Sequence, residues 1–352
     1  MAQTSPFDTP FDELPNPRQV WVGTPGSQEE GLGKLALLTP AVVADAATEI
    51  KTGKRVTLSW EMTKLELASL NRQPCQHHII SILDGVAFDD VYIMNPRALP
   101  EKSCMYLVVL RVAVELMPVV EQSSQWDGLR HFSQSVPAPL DGKAVERVFY
   151  GGTTASEILN RTNDRIGIQY WARQGITGRG VLIDYASYAS KKGIKYSTFS
   201  THQIRLSDIL EIAADCNLTF KRGDILFIRI GVTYEWDNIM TADQKRAYSI
   251  NQRPEHAGVE ASTEMLRWLW DTGFSAVAGD AVSWEVYPPQ SPDIFLHEYL
   301  LAGWGVPIGE LFDLEVLSRT CQELGRWTFF LSSVPLNMPG GVSSPPNAIA
   351  IF

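Results

Sequence analysis

Short apolar runs and helically spaced apolar stripes both occur along this chain, and neither period dominates. Val42, Val43, Ala46, Ala47 and Ile50 fall at helical spacing after Thr39-Pro40 and before Gly53, which predicts a helix within 35–51. Residues 56–60 read as a short strand, and 79–82 and 91–94 as two more around the polar turn Asp89-Asp90. GVLID at 180–184 is a compact strand after the glycine-rich stretch GITGRG. DILFIRI at 224–230 is another, after the turn Lys221-Arg222-Gly223. Helices are predicted at 206–216 (capped by Ser207 or Asp208), 258–271, 294–302 and 314–324, and strands at 274–278 and 327–332. Residues 1–30, with Pro10, Pro15, Pro17 and Pro25, read as an extended arm. The apolar run at 105–120 is broken by Arg111, Glu115 and Pro118, which argues against a membrane span and leaves strand and helix both open. Strands and helices mix without strict alternation, so the class is α/β or α+β.

Composition narrows the function. The chain has 352 residues, 45% hydrophobic and 20% charged, as expected of a globular protein able to bury a large core. A net charge of −10 with no basic run argues against nucleic-acid or anionic-membrane partners. Cys75, Cys104, Cys216 and Cys321 are far apart and form no CxxC pair, so neither a disulfide framework nor a zinc knuckle is expected. The N-terminus lacks the basic start and apolar stretch of a signal peptide. A reducing, cytoplasmic setting is expected.

Candidate chemistry concentrates in QWDGLRH, residues 125–131, which sets an amide, a carboxylate and an imidazole within seven residues. His297 lies in an apolar helical segment and Glu310 in the turn after it, so the two can reach one pocket. Asp280 and Glu285, in GDAVSWE, follow a strand end, a usual place for pocket residues. His77 and His78 are adjacent in a strand and face opposite sides, while His202 and His256 are isolated. No HExxH, GxSxG or Walker A sequence is present. GITGRG has the wrong spacing for a dinucleotide turn.

Taken together, these segments resemble the cyclase family, metal-dependent hydrolases that include bacterial-type kynurenine formamidase. LGKLALLTP at 32–40 is similar to the family's G-x-L-N-x-L-T-P segment. QWDGLRH stands where the family carries H-x-G-T-H-x-D-x-x-x-H, and LHEYLLAGWGVPIGELFDL resembles its late histidine-to-glutamate segment. The style is most like fungal members. The resemblance implies a swivelling β/β/α domain over 31–352, assembled as a homodimer or homotetramer. It implies metal ligands at Asp127, His297 and Glu310, and a catalytic His131. Glu121 and Gln125 stand at the two early histidine positions. That set is oxygen-rich, which favours Mn or Mg over Zn, and a vacant site is the other outcome. Residues 96–120 have no counterpart in the family and read as an insertion or a gene-model artefact.

The expected reaction is hydrolysis of an amide, formamide or lactone in a small aromatic or secondary-metabolite substrate. A divalent metal would acidify water and polarise the carbonyl, and His131 would take and return the proton. Trp126, Asp280 and Trp284 would line the substrate pocket. Two alternatives keep the pocket: metal-independent acid–base cyclisation, dehydration or isomerisation, and a non-catalytic relative that binds a small molecule.

Overall fold

The structure is a computed structural model that describes residues 6–65, 75–81, 88–93, 123–136 and 147–352. Glu121 and the segment 96–120 lie outside the described residues. The chain forms two compact units, residues 1–60, 124–235 and 255–352 in the first and 61–123 and 236–254 in the second.

The first unit is a mixed α/β fold on a nine-stranded sheet. Its strands are β1 (Arg55–Thr57), β2 (Gln125–Asp127), β3 (Ile176–Asp184), β4 (Ile225–Arg229), β5 (Ala276–Gly279), β6 (Ile308–Glu310), β7 (Thr328–Ser333), β8 (Ser343–Ser344) and β9 (Ala348–Ile351). Their order is β1-β9-β7-β3-β4-β5-β6-β2-β8. β3, β4, β5 and β6 run parallel, and antiparallel strands flank them on both sides. Among the central parallel strands, β4 and β5 carry almost only buried residues. Phe227, Phe312, Phe329, Trp171 and Phe352 anchor the core.

Most predicted elements appear. Thr39 caps the helix Pro40–Ala46, its hydroxyl accepting the Val42 N–H, with proline at the first helical position. Two segments differ. GITGRG is not a loop before a strand but the first half of β3, which starts at Ile176. Glycine is needed at 180 because a Cβ there would lie 2.2 Å from the Phe329 ring of the neighbouring strand. The helix predicted from 258 begins at Thr263, capped by Ser262, and residues 258–259 form a short strand instead. In the helix Leu206–Asp215 the cap residue is Arg205, whose N–H is bonded by Asp208.

The N-terminal segment is anchored to the rest of the first unit. Short 3-10 turns at Pro6–Asp8 and Phe11–Glu13 carry Phe7 and Phe11 into the interior. Phe11 packs edge-on to Trp304 and Phe7 edge-on to Trp270, and the Trp270 and Trp304 indoles donate to Thr9 O and Pro17 O.

In the second unit the predicted strands form a hairpin, Gln76–Ser81 with Phe88–Ile93. His77 stacks on Tyr92 and bonds Asp90 at 2.7 Å across the strands. No helix among the described residues is long and apolar enough to cross a membrane.

Candidate active site

Strand alternation sorts the QWDGLRH motif residue by residue. Gln125 and Asp127 share one face of β2, and Trp126 points to the other. Trp126 is 0% exposed, donates its indole N–H to Ser333 Oγ and packs edge-on against Phe312. Across from it stands Gly309, where a Cβ would lie 2.9 Å from the Trp126 ring, so the interior indole requires a glycine in β6. Leu129 is also fully buried. Arg130 bonds the carbonyls of Gly340, Glu157, Ile158 and Asn163, and Gly128 N–H bonds Val342 O. These contacts hold the turn that presents His131, whose Nδ1 lies 3.6 Å from Asp127 Oδ1.

The register of β2 against β6 completes the cluster. Gln125 sits directly opposite Glu310, and Asp127 opposite Ile308. Gln125 Nε2 donates to Asp127 Oδ1 at 3.3 Å and to Glu310 Oε2 at 3.1 Å. His297 stands at the start of the short helix that continues as a π-helix over Glu298–Gly303. Its Nε2 is 3.3 Å from Glu310 Oε1 and 4.0 Å from Asp127 Oδ2. One ligand atom each from Asp127, His297 and Glu310 lies within 4.8 Å of the others, and all three residues are buried.

Glu285 orients this histidine. Its Oε1 is 2.6 Å from His297 Nδ1, and its carboxylate also accepts the backbone N–H groups of Leu296 and His297. A carboxylate on Nδ1 keeps the proton there and leaves Nε2 as the coordinating nitrogen. Burial alone would lower the His297 pKa, but the Glu285 and Glu310 carboxylates outweigh it and push it up to about 10. Burial raises the Glu310 carboxyl as well, against the pull of His297. A proton on His297 Nε2 and a cation at the same point are alternatives, so cation binding releases a proton. Two acidic residues and an oriented imidazole are a donor set that suits a divalent cation.

Three expected pocket residues have other roles. Trp126 is core, as described above. Trp284 is core too: its indole is buried, donates to Ala278 O at 3.2 Å, and its φ of 46° forms the bend that delivers Glu285. Asp280 is fully buried and accepts the N–H groups of Ile230, Gly231 and Val232, clamping the chain after β4. Burial pushes its carboxyl up to about 7 against those three donors. The aromatic wall beside the cluster is Phe132 and Phe295, both half-buried, with ring centroids 5.3 and 5.4 Å from His297 and 5.2 Å apart. Phe132 directly follows the motif and Phe295 lies two residues before His297, so nearness to the chemistry was the available signal.

This architecture has known relatives. The sequence profile of the Cyclase family matches residues 92–286, a span that includes QWDGLRH and Glu285. The chain belongs to the cyclase family. This cyclase is similar to the crystal structure of a novel cyclase at 25% identity, with a TM-score of 0.71 over 93% of this chain and 97% of the other. It also shares its fold with isatin hydrolase A from Ralstonia solanacearum, at 13% identity and a TM-score of 0.54 over 89% of this chain and 98% of that one. Isatin hydrolase A from Labrenzia aggregata, bound to benzyl benzoate, gives 12% identity and a TM-score of 0.51 over 89% and 98%. No curated protein matches the cyclase in sequence.

Proposed function

We propose that this cyclase is a metal-dependent hydrolase of an amide, formamide or lactone bond in a small aromatic substrate, similar in chemistry to kynurenine formamidase. The observation that carries the reading is the buried Asp127–His297–Glu310 cluster with Glu285 fixing the histidine tautomer. Buried acidic groups converging on one point need a compensating positive charge, and a divalent cation supplies it. When bound, such a cation provides Lewis acidity, acidifying water and polarising a carbonyl.

The remaining work falls to the chain's own residues. His131 faces Asp127 through Nδ1, so the opposite ring nitrogen, Nε2, is the one to take a proton from water and return it to the leaving group. Asp127 would then steady the imidazolium that forms. Phe132 and Phe295 offer ring faces to a planar substrate and keep bulk water from the His297 side. The hydrolase relatives in the fold, which by name act on isatin, favour a cyclic or N-acyl aromatic substrate for this chain as well.

The test is hydrolysis of a panel of aryl formamides, cyclic amides and aryl lactones, before and after exhaustive chelation. Turnover should vanish with chelation and return with added cation. Asp127→Ala should lose metal content and turnover together, and His131→Ala should retain the metal while turnover falls by about 10²–10⁴-fold. Full turnover by metal-stripped protein would overturn the reading.

A further inference from the structure

Arg147 joins the two segments that supply His131 and His297. It lies on a short hairpin strand, Arg147–Val148, paired antiparallel with Gln134–Ser135 just after the motif. Its guanidinium grips the chain that leaves His131. Nε donates to Ser133 Oγ at 3.0 Å, Nη1 to Ser135 Oγ at 2.9 Å, and Nη2 to the Ser133 carbonyl. The same Nη2 reaches Glu298 Oε1 at 2.9 Å, and Glu298 directly follows His297 in the chain. The guanidinium also stands 5.8 Å from the Phe132 ring centroid, and Phe132 packs edge-on to His297. Gln134 adds a second tie between the same segments: it is buried and donates to Ala302 O in the π-helix at 3.1 Å.

We infer that Arg147 is a positioning residue: with Glu298 it forms a bridge that holds the His131 segment at its working distance from the His297 helix. This rests on the hydrolase reading, in which His131 moves the proton. A guanidinium suits the task because its planar fork fixes direction as well as distance, and its bond to a carboxylate is charge-assisted. The Glu298 side chain is only 14% exposed, so the pair is better shielded than an open surface ion pair. His297 has its own anchor in Glu285, so loss of the bridge frees the His131 side. Proton transfer needs His131 within hydrogen-bond reach of the attacking water, and a displacement of about 1 Å costs up to about 10²-fold in rate. The bridge lies outside the cation cluster, so it acts on kcat and leaves the ligand set as it is.

A double-mutant cycle tests this with an aryl formamide as substrate and calorimetry with Mn²⁺ beside it. Arg147→Ala and Glu298→Ala should each lower kcat by about 10–100-fold, with Mn²⁺ affinity within about threefold of wild type. The double variant should lose no more than Arg147→Ala alone, because either change breaks the same bridge. Losses that multiply in the double variant, or a fall in Mn²⁺ affinity that matches the fall in kcat, overturn the inference. Arg18 holds the other Glu298 oxygen from the N-terminal segment. Arg18→Ala should therefore leave kcat within about twofold of wild type, and a loss as large as that of Glu298→Ala overturns the inference as well. Hydrogen exchange read by mass spectrometry needs no turnover and uses Glu298→Gln, which keeps the side chain's shape. The amides of residues 132–135 should exchange at least about fivefold faster than in wild type, and unchanged rates overturn the inference even where an alanine variant fails to fold. Faster exchange in a protein that hydrolyses nothing in the panel defeats the hydrolase reading and leaves the bridge standing.

Discussion

Glu285 Oε1 lies 2.6 Å from His297 Nδ1, and the same carboxylate caps the first backbone N–H groups of the helix that carries His297. One side chain therefore sets the histidine's tautomer, its ring orientation and the position of its helix. Removing it should loosen all three. Glu285→Ala is expected to weaken cation affinity by about 10–100-fold, the usual cost of losing an outer partner of a ligating histidine. Glu285→Gln, which keeps an acceptor oxygen, should fall between. Calorimetry with Mn²⁺ checks this, and equal affinity in Glu285→Ala and wild type would show that the contact does not orient a ligand.

The two aromatic sets should separate in experiment. Trp126→Ala empties a fully enclosed site and should cost about 3–5 kcal/mol of stability, read from urea denaturation. Phe132→Ala and Phe295→Ala remove half-buried rings beside His297. They should raise KM for an aromatic substrate by about 2- to 10-fold, the equivalent of 0.5–1.5 kcal/mol per aromatic contact. A KM unmoved by either Phe variant would place the substrate elsewhere.

Asp280 should behave as a structural residue. Its carboxylate satisfies three buried backbone N–H groups, and each donor left unpaired costs about 1–3 kcal/mol. Asp280→Ala is expected to lower the urea midpoint sharply while leaving the cation affinity of the folded fraction within about threefold of wild type, since the side chain's bonds all go to the chain after β4. A large loss of affinity at unchanged stability would return Asp280 to the site.

Lys34 gives the protein a signature at alkaline pH. The residue is 1% exposed, its Nζ has no hydrogen-bond acceptor among the described residues, and it lies 4.1 Å from the Trp270 ring centroid and 5.6 Å from that of Trp304. Burial pushes its pKa down to about 7 from the ordinary 10.5. Between those values the unfolded chain holds a proton that the folded chain has lost, so this residue makes stability rise with pH across that window. Lys34→Met should remove the rise and be the more stable protein near pH 7. Urea midpoints at pH 7 and 9.5 would decide it, and parallel profiles for the two proteins would refute it.

Much of this was legible in the chain itself. The short runs at 224–230 and 327–332 became β4, buried almost throughout, and β7, whose burial alternates. QWDGLRH, His297 and Glu310 offered the right residue types, their reading as one ligand set came from the family resemblance, and the structure brings Asp127, His297 and Glu310 together. Which tryptophans were core was not legible. Trp126 is the immediate sequence neighbour of both Gln125 and Asp127, and only its strand register, with Gly309 opposite, turns it inward. Glu285 stood out only as an acid after a strand, and the bend at Trp284 carries it to a histidine twelve residues on. The amide of Gln125 is the plainest case. Sequence names the side chain and its donors and acceptors. Tertiary structure alone decides which end meets the carboxylates, because that depends on the charge collected at a point by two strands and a helix, the first strand far along the chain from the other two elements.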